Sequence, residues 1–90
     1  MIIRKKSDIQ EFLGDFKSFA SSDNEGEKEY FVFVDKFRKG LMTLMRYPDG
    51  TFTCHGKGAG YSDEDEQYLT PIQLQSFVWK HRSAINNKIR

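Results

Sequence analysis

EYFVFVDKF (29–37), RKG (38–40), LMTLMRY (41–47), PDG (48–50) and TFTCH (51–55) follow one another without interruption. Aromatic and β-branched runs parted by glycine-ended turns carry the strand-and-hairpin signature. They predict three antiparallel strands at 29–37, 41–47 and 51–55, joined as a meander. If Arg38-Lys39-Gly40 is a three-residue turn with Gly40 at positive φ, Phe37 faces Leu41, Phe33 faces Met45 and Phe31 faces Tyr47. If Asp49-Gly50 is a two-residue turn, Tyr47 faces Phe52 and Met45 faces Cys54. One face then carries Phe31, Phe33, Phe37, Leu41, Met45, Tyr47, Phe52 and Cys54. The other carries Tyr30, Val32, Val34, Met42 and Leu44, interrupted by Lys36, Arg46 and Thr53. An antiparallel sheet with one wet side alternates apolar and polar residues. The first two strands here are apolar on both sides, so either helices cover both faces or one face awaits a partner.

Upstream, Ser7 reads as an N-cap with Asp8 in the first turn and Gln10 at the capping-box position. Ile9, Phe12, Leu13, Phe16 and Phe19 follow at helical spacing and predict an amphipathic helix over 8–20. Gly14 lies inside it, at a cost of about 1 kcal/mol relative to alanine. Either a close approach to the sheet compensates, or the helix is locally weak. Ile2-Ile3 reads as a short strand at the sheet edge, and Ser21 to Lys28 as a polar loop.

Downstream, a glycine-rich and acidic connection spans 56–69. Thr70-Pro71 is a helix start, an N-cap followed by proline at the first helical position. The helix runs over about 71–87, with Leu74, Phe77, Val78, His81 and Ile85 on one face. The expected architecture is α+β in the order αβββα: one small domain over 1–90, its three-stranded meander packed with an N-terminal and a C-terminal helix.

A chain of 90 residues buries about 60–65% of its unfolded surface, so the core is small. Nothing resembles a signal peptide or a membrane span. The lone Cys54 excludes an internal disulfide and, without an export signal, predicts a cytoplasmic protein. The net charge of +1 conceals a division along the chain. Residues 1–35 hold five basic and eight acidic groups, and 36–62 hold five and one. Asp63-Glu64-Asp65-Glu66 is an acidic block, and 67–90 hold four basic groups and no acid. Such patches are either an ordinary solvated surface or a surface that prefers a charged partner.

Site chemistry is sparse. The run Gly56-Lys57-Gly58-Ala59-Gly60 sits between a strand and a helix, where a phosphate cradle would lie. It is neither a P-loop nor a dinucleotide fingerprint, and the four carboxylates after it would repel an anion. Cys54 and His55 point to opposite faces of their strand, and no paired His or Cys spacing accompanies them or His81. Asp63 and Asp65 do not continue into an EF-hand loop. Tyr61, Ser62, His55 and Asp35 show no spacing that nucleophilic catalysis demands. Asp35, an acid among aromatics, either neutralises Lys36, Arg38 or Lys39 or marks the strand end.

Asp49, Gly50, Gly56, Gly58 and Ser62, within the order αβββα, resemble the double-stranded RNA-binding domain over about residues 41–62. That resemblance implies RNA binding through a lysine cluster opening the last helix; Asp63-Glu64-Asp65-Glu66 stands there instead. The sheet with its Pro48-Asp49-Gly50 turn is also similar to the arm-binding domains of phage integrases, which place three strands in a DNA groove.

These readings predict a small non-enzymatic protein-interaction module or inhibitor, in character like those of phages and mobile elements, with no cofactor or metal. Its partner is expected to be a protein and not a membrane. The expected binding residues are Arg38, Lys39, Arg46, Trp79, Lys80 and Arg82, because arginine and tryptophan are enriched at binding hot spots. The alternative is a nucleic-acid-binding domain using the basic hairpin and the C-terminal helix.

Overall fold

The computed structural model describes residues 1–23, 25–38, 40–55 and 66–89, with the backbone alone of Arg38. Helices α1 (Ser7–Gly14) and α2 (Phe16–Phe19) lead into strand β1 (Ser21–Ser22). Strands β2 (Glu29–Asp35), β3 (Gly40–Arg46), β4 (Phe52–His55) and β5 (Gln67–Leu69) follow, and α3 (Pro71–Lys80) and α4 (Arg82–Ile89) close the chain. The class is α+β, as the pattern predicts. Among the described residues the sheet has five strands rather than three, all antiparallel, in the spatial order β1-β2-β3-β4-β5.

Both hairpin turns differ from expectation, and each shifts the register by an odd number of residues. β2 ends at Asp35, which pairs with Gly40, so residues 36–39 make the connection and Gly40 opens β3. Asp35 Oδ1 accepts the Phe37 N–H at 3.1 Å and starts a 3₁₀ turn over Lys36–Arg38. The second turn is the three-residue one. Gly50 N–H donates to the Tyr47 carbonyl at 2.9 Å, Tyr47 N–H donates to the Thr51 carbonyl at 2.8 Å, and Gly50 sits at φ +89°. That is a β-turn closed by a left-handed glycine, the common three-residue hairpin.

Phe31 therefore faces Leu44, Phe33 faces Met42, and Arg46 faces Phe52. Because a one-residue slip exchanges the faces of a strand, β3 alone is inverted. The two odd slips cancel at β4. Phe31, Phe33, Leu44 and Phe52 form the core face, whereas Met45, Leu41 and Tyr47 belong to the opposite one.

The core unites that face with Ile3, Ile9, Phe12, Phe16, Leu74, Val78 and Ile85, so the sheet-packing residues of α1, α2, α3 and α4 lie on one side of the sheet. Its aromatic centre is edge-to-face: Phe12 on Phe31 at 5.4 Å, and Phe16 on Phe52 at 5.2 Å. Such contacts add about 0.5–1.5 kcal/mol each beyond burial.

Each expected helix is two. The first breaks at Asp15, directly after Gly14. Nothing lies within 4 Å of where a Gly14 Cβ would be, so no close approach to the sheet compensates and the helix stops. The N-cap of α1 is Lys6 rather than Ser7. The Asp8 carboxylate instead accepts the N–H groups of Arg4 (2.9 Å) and Lys5 (3.0 Å), which hold it below the usual carboxylate range. Ile3 forms no strand; Asn86 of α4 accepts its N–H at 2.8 Å and donates to its carbonyl at 3.0 Å.

The second expected helix breaks at His81, where no glycine or proline occurs. Its start matches the sequence reading. Thr70 and Gln73 form a capping box, each side chain accepting the other's backbone N–H at 3.2 and 2.9 Å, with Pro71 at the first helical position. Among the described residues no helix is long and apolar enough to cross a membrane.

Candidate functional site

Strand alternation assigns Phe37 to the core face. With β2 ending at Asp35, Phe37 instead rides the 3₁₀ turn and is 90% exposed. Behind it the directly paired Val34 and Leu41 are also exposed, Val34 at 56%. Lys36, Phe37, Lys80, Ser83 and Val34 border a shallow depression of about 120 Å³ between this hairpin tip and the α3–α4 junction. The tip is an apolar cluster edged by cations.

The six basic and aromatic residues singled out in the sequence do not share one surface. Arg38 belongs to the tip, Lys39 lies outside the described residues, and Lys80 is exposed across the depression. Arg46 sits at the opposite end of the β2–β3 ladder, six residues away along each strand, or about 20 Å. Its Nε and Nη2 both contact Glu29 Oε1 at 2.6 Å. Its guanidinium covers the rings of Phe16 (5.3 Å) and Phe52 (5.9 Å). Arg46 is a structural cation on the helix side of the sheet, not part of the other face.

Trp79 and Arg82 do come together. The Arg82 guanidinium lies 4.0 Å from the Trp79 ring centroid and donates through Nη1 to the Trp79 carbonyl at 2.8 Å. Lys6 approaches the same ring at 5.9 Å.

Two buried polar clusters were not legible as clusters in the sequence. His81 Nδ1 and Asp35 Oδ2 are 2.7 Å apart, both buried, and tie the end of β2 to the α3–α4 junction. The contact coincides with the helix break: at the turn the His81 ring lies on Asp35 and against Phe33 and Phe77. Asp35 also marks the strand end, the second of its two expected roles; the Arg38 side chain and Lys39 lie outside the described residues.

The second cluster lies on the sheet face away from the helices, where Thr43, Met45, Thr53 and His55 are all buried. Glu66 Oε2 accepts the Tyr47 hydroxyl at 2.5 Å and the Thr53 hydroxyl at 2.9 Å, and stands 3.6 Å from His55 Nε2. Burial raises the Glu66 pKa, but the Tyr47 and Thr53 hydrogen bonds and the nearby His55 and Lys28 charges outweigh it, and the net shift is downward. A signal was available for Glu66, a carboxylate two residues before a tyrosine in an otherwise extended segment. As the last of four acids it reads as surface.

Cys54 and His55 do face opposite sides of β4, paired with Leu44 and Thr43 respectively. Burial pushes the Cys54 thiol up, away from a reactive thiolate. Among the described residues no three His, Cys, Asp or Glu side chains gather as metal ligands. The glycine run 56–60, Tyr61, Ser62 and Asp63-Glu64-Asp65 lie outside the described residues, and with them Gly56, Gly58 and Ser62 of the RNA-binding-domain resemblance. Neither resemblance gains support from comparison: no family model, no curated protein and no solved structure matches the chain.

Proposed function

We propose that this chain is a non-enzymatic protein-interaction module or inhibitor, acting in the cytoplasm and of the kind that phages and mobile elements encode. Its contact surface is the hairpin tip. The observation that carries the reading is Phe37, a phenylalanine 90% exposed at the end of the β2–β3 ladder, with Val34 and Leu41 uncovered behind it. A large apolar cluster held out on a well-formed element marks a docking site more often than a defect. An aromatic anchor beside Lys36 and Lys80 also has the anatomy of an interface centre and rim. The buried polar clusters support the same reading, because Asp35–His81 and Glu66–Tyr47–Thr53 are engaged within the fold.

Capture of partners from the native host, with and without nuclease, tests this. Phe37→Ser should fold with wild-type stability, within about 0.5 kcal/mol, since the ring touches little. It should lose a nuclease-resistant protein partner by at least about 30-fold, the loss of a hot spot of about 2 kcal/mol. Unchanged capture by a folded Phe37→Ser variant would exclude the tip.

One observation favours nucleic acid as a second reading. Lys36 and Arg38 flank Phe37 in sequence and Lys80 faces it, an exposed ring among cations that suits base stacking. In that case capture is nuclease-sensitive, and affinity for a single-stranded oligonucleotide falls steeply with salt.

A further inference from the structure

Trp79 is the only tryptophan of the chain and stands half-buried on α3. It borders a groove of about 250 Å³ between the start of α1 and α3, whose other walls include Lys6, Ile9, Ile72, Gln75 and Ser76. Ile9 is fully buried beneath it, and Ile72 is 80% exposed at its rim. Ligand pockets for cofactor-sized molecules run to about 300–1,000 Å³. A groove of this size accommodates a side chain or two rather than a cofactor.

Lys6 is the charged residue in the groove's lining, and Arg82, outside that lining, lies against the bordering Trp79 ring. Arg82 is fixed over the indole at 4.0 Å by its bond to the Trp79 carbonyl, and Lys6 approaches the ring at 5.9 Å. Neither makes an ion pair with a described carboxylate, unlike Arg46 with Glu29. Residues 67–90 contain no aspartate or glutamate to supply one. The carboxylate nearest in sequence to Lys6, that of Asp8, is turned into the backbone N–H groups of Arg4 and Lys5. An arginine stacked on an aromatic face keeps edge donors that match a carboxylate.

We propose that this groove binds an acidic peptide segment carrying a bulky apolar side chain. The apolar side chain enters between Ile72 and Trp79, and flanking carboxylates pair with Arg82 and Lys6. Complementary charge of this kind sets partner choice and association rate. A nucleic acid fits less well, because Arg82 already occupies a ring face on which a base would stack. The groove shares no lining residue with the hairpin-tip depression, so this inference extends the interaction reading to a second surface and is separable from it.

The single tryptophan makes the test direct. Trp79 fluorescence of the full chain is titrated with a synthetic peptide in which leucine is flanked by glutamates. The comparison ligands are its glutamine analogue, its leucine-to-serine analogue and an oligothymidylate. The acidic leucine peptide should give a saturable change, weakened at least tenfold by either analogue change, by Arg82→Gln and by Lys6→Gln. Circular dichroism confirms that both variants fold, and Phe37→Ser should leave the titration unaltered. No saturable change up to millimolar acidic peptide, an equal response to the glutamine analogue, or tighter binding of oligothymidylate would each overturn the proposal. A lost titration with Phe37-dependent capture intact would refute this groove alone.

Discussion

On the helix side of the sheet, Phe31, Phe33, Leu44 and Phe52 are buried against Phe12, Phe16, Val78 and Ile85. On the other side Thr43, Thr53 and His55 are just as buried, yet the described partner at their centre is a single carboxylate, Glu66. The first face is held by apolar area and edge-to-face rings, neither of which depends on protonation. The second includes hydrogen bonds to a carboxylate, which do depend on protonation. Beyond Thr43 along the same face, the Val34–Leu41 pair is left uncovered, next to the exposed Phe37. The sheet therefore has an apolar side that fixes the fold, a polar patch sensitive to conditions, and an apolar end turned to solvent.

The largest expected effect comes from emptying the apolar side. Phe33→Ala should cost about 3–5 kcal/mol, as for aromatic core sites generally. Phe33 is buried among Phe31, Phe77 and His81, with few neighbours small enough to close the gap. A domain of this size has about 5–15 kcal/mol in total, so the variant should lose a large share of its stability. Denaturant titration measures it, and a midpoint near wild type would remove Phe33 from the core and erase the contrast between the faces.

A smaller loss is expected at the seam between the helices and the sheet edge. Asp35→Ala leaves His81 Nδ1 buried without its carboxylate, at a cost of about 2–4 kcal/mol by the usual penalties for an orphaned polar group with a charged partner. Because the pair also lies at the α3–α4 turn, the far-ultraviolet helical signal should fall together with stability. A drop of less than 1 kcal/mol would mean that the turn at His81 is made by apolar packing alone.

How far the sequence carries depends on which kind of information a feature uses. Local patterns were legible: the Thr70-Pro71 start, the phenylalanine periodicity running through α1 and α2, and the strand identity of 29–35. The alternation that buries Phe31 and Phe33 while leaving Val34 outside is seen in the fold. Turn length was not legible, because Arg38-Lys39-Gly40 and Pro48-Asp49-Gly50 both end in glycine and either can close a three-residue loop. The wrong choice at both turned over β3 and placed Arg46 on the wrong face. β1 and β5, of two and three residues, lack any periodicity to detect. The break at His81 has no breaker residue, and the partner its ring meets there is 46 positions away. Trp79 and Arg82 were both singled out in the sequence, but their contact spans the α3–α4 break at His81, which the sequence did not show. Phe37 was hidden by the assumption that its strand continued.

The smallest of the three effects sharpens the contrast most, because it separates the faces by pH. Glu66 has a folded-state pKa below its ordinary value of 4.5, the favourable Tyr47 and Thr53 hydrogen bonds and the His55 and Lys28 charges exceeding the burial penalty. A depressed carboxylate pKa contributes stability that is complete above the unfolded-state value and is lost as pH falls through the folded-state one. The loss therefore lies below about pH 4.5. Glu66→Gln keeps the shape but replaces two charge-assisted hydrogen bonds by neutral ones, which should cost about 1–2 kcal/mol at pH 7. The difference in stability between wild type and Glu66→Gln should shrink as pH falls below about 4.5 and Glu66 itself becomes neutral. The cost of Phe33→Ala, set by apolar volume, should not narrow over the same range. Thermal melts of the three proteins between pH 3 and 7 measure both trends. A Glu66→Gln difference that stays flat down to pH 3 would show that the carboxylate's charge does not hold the second face.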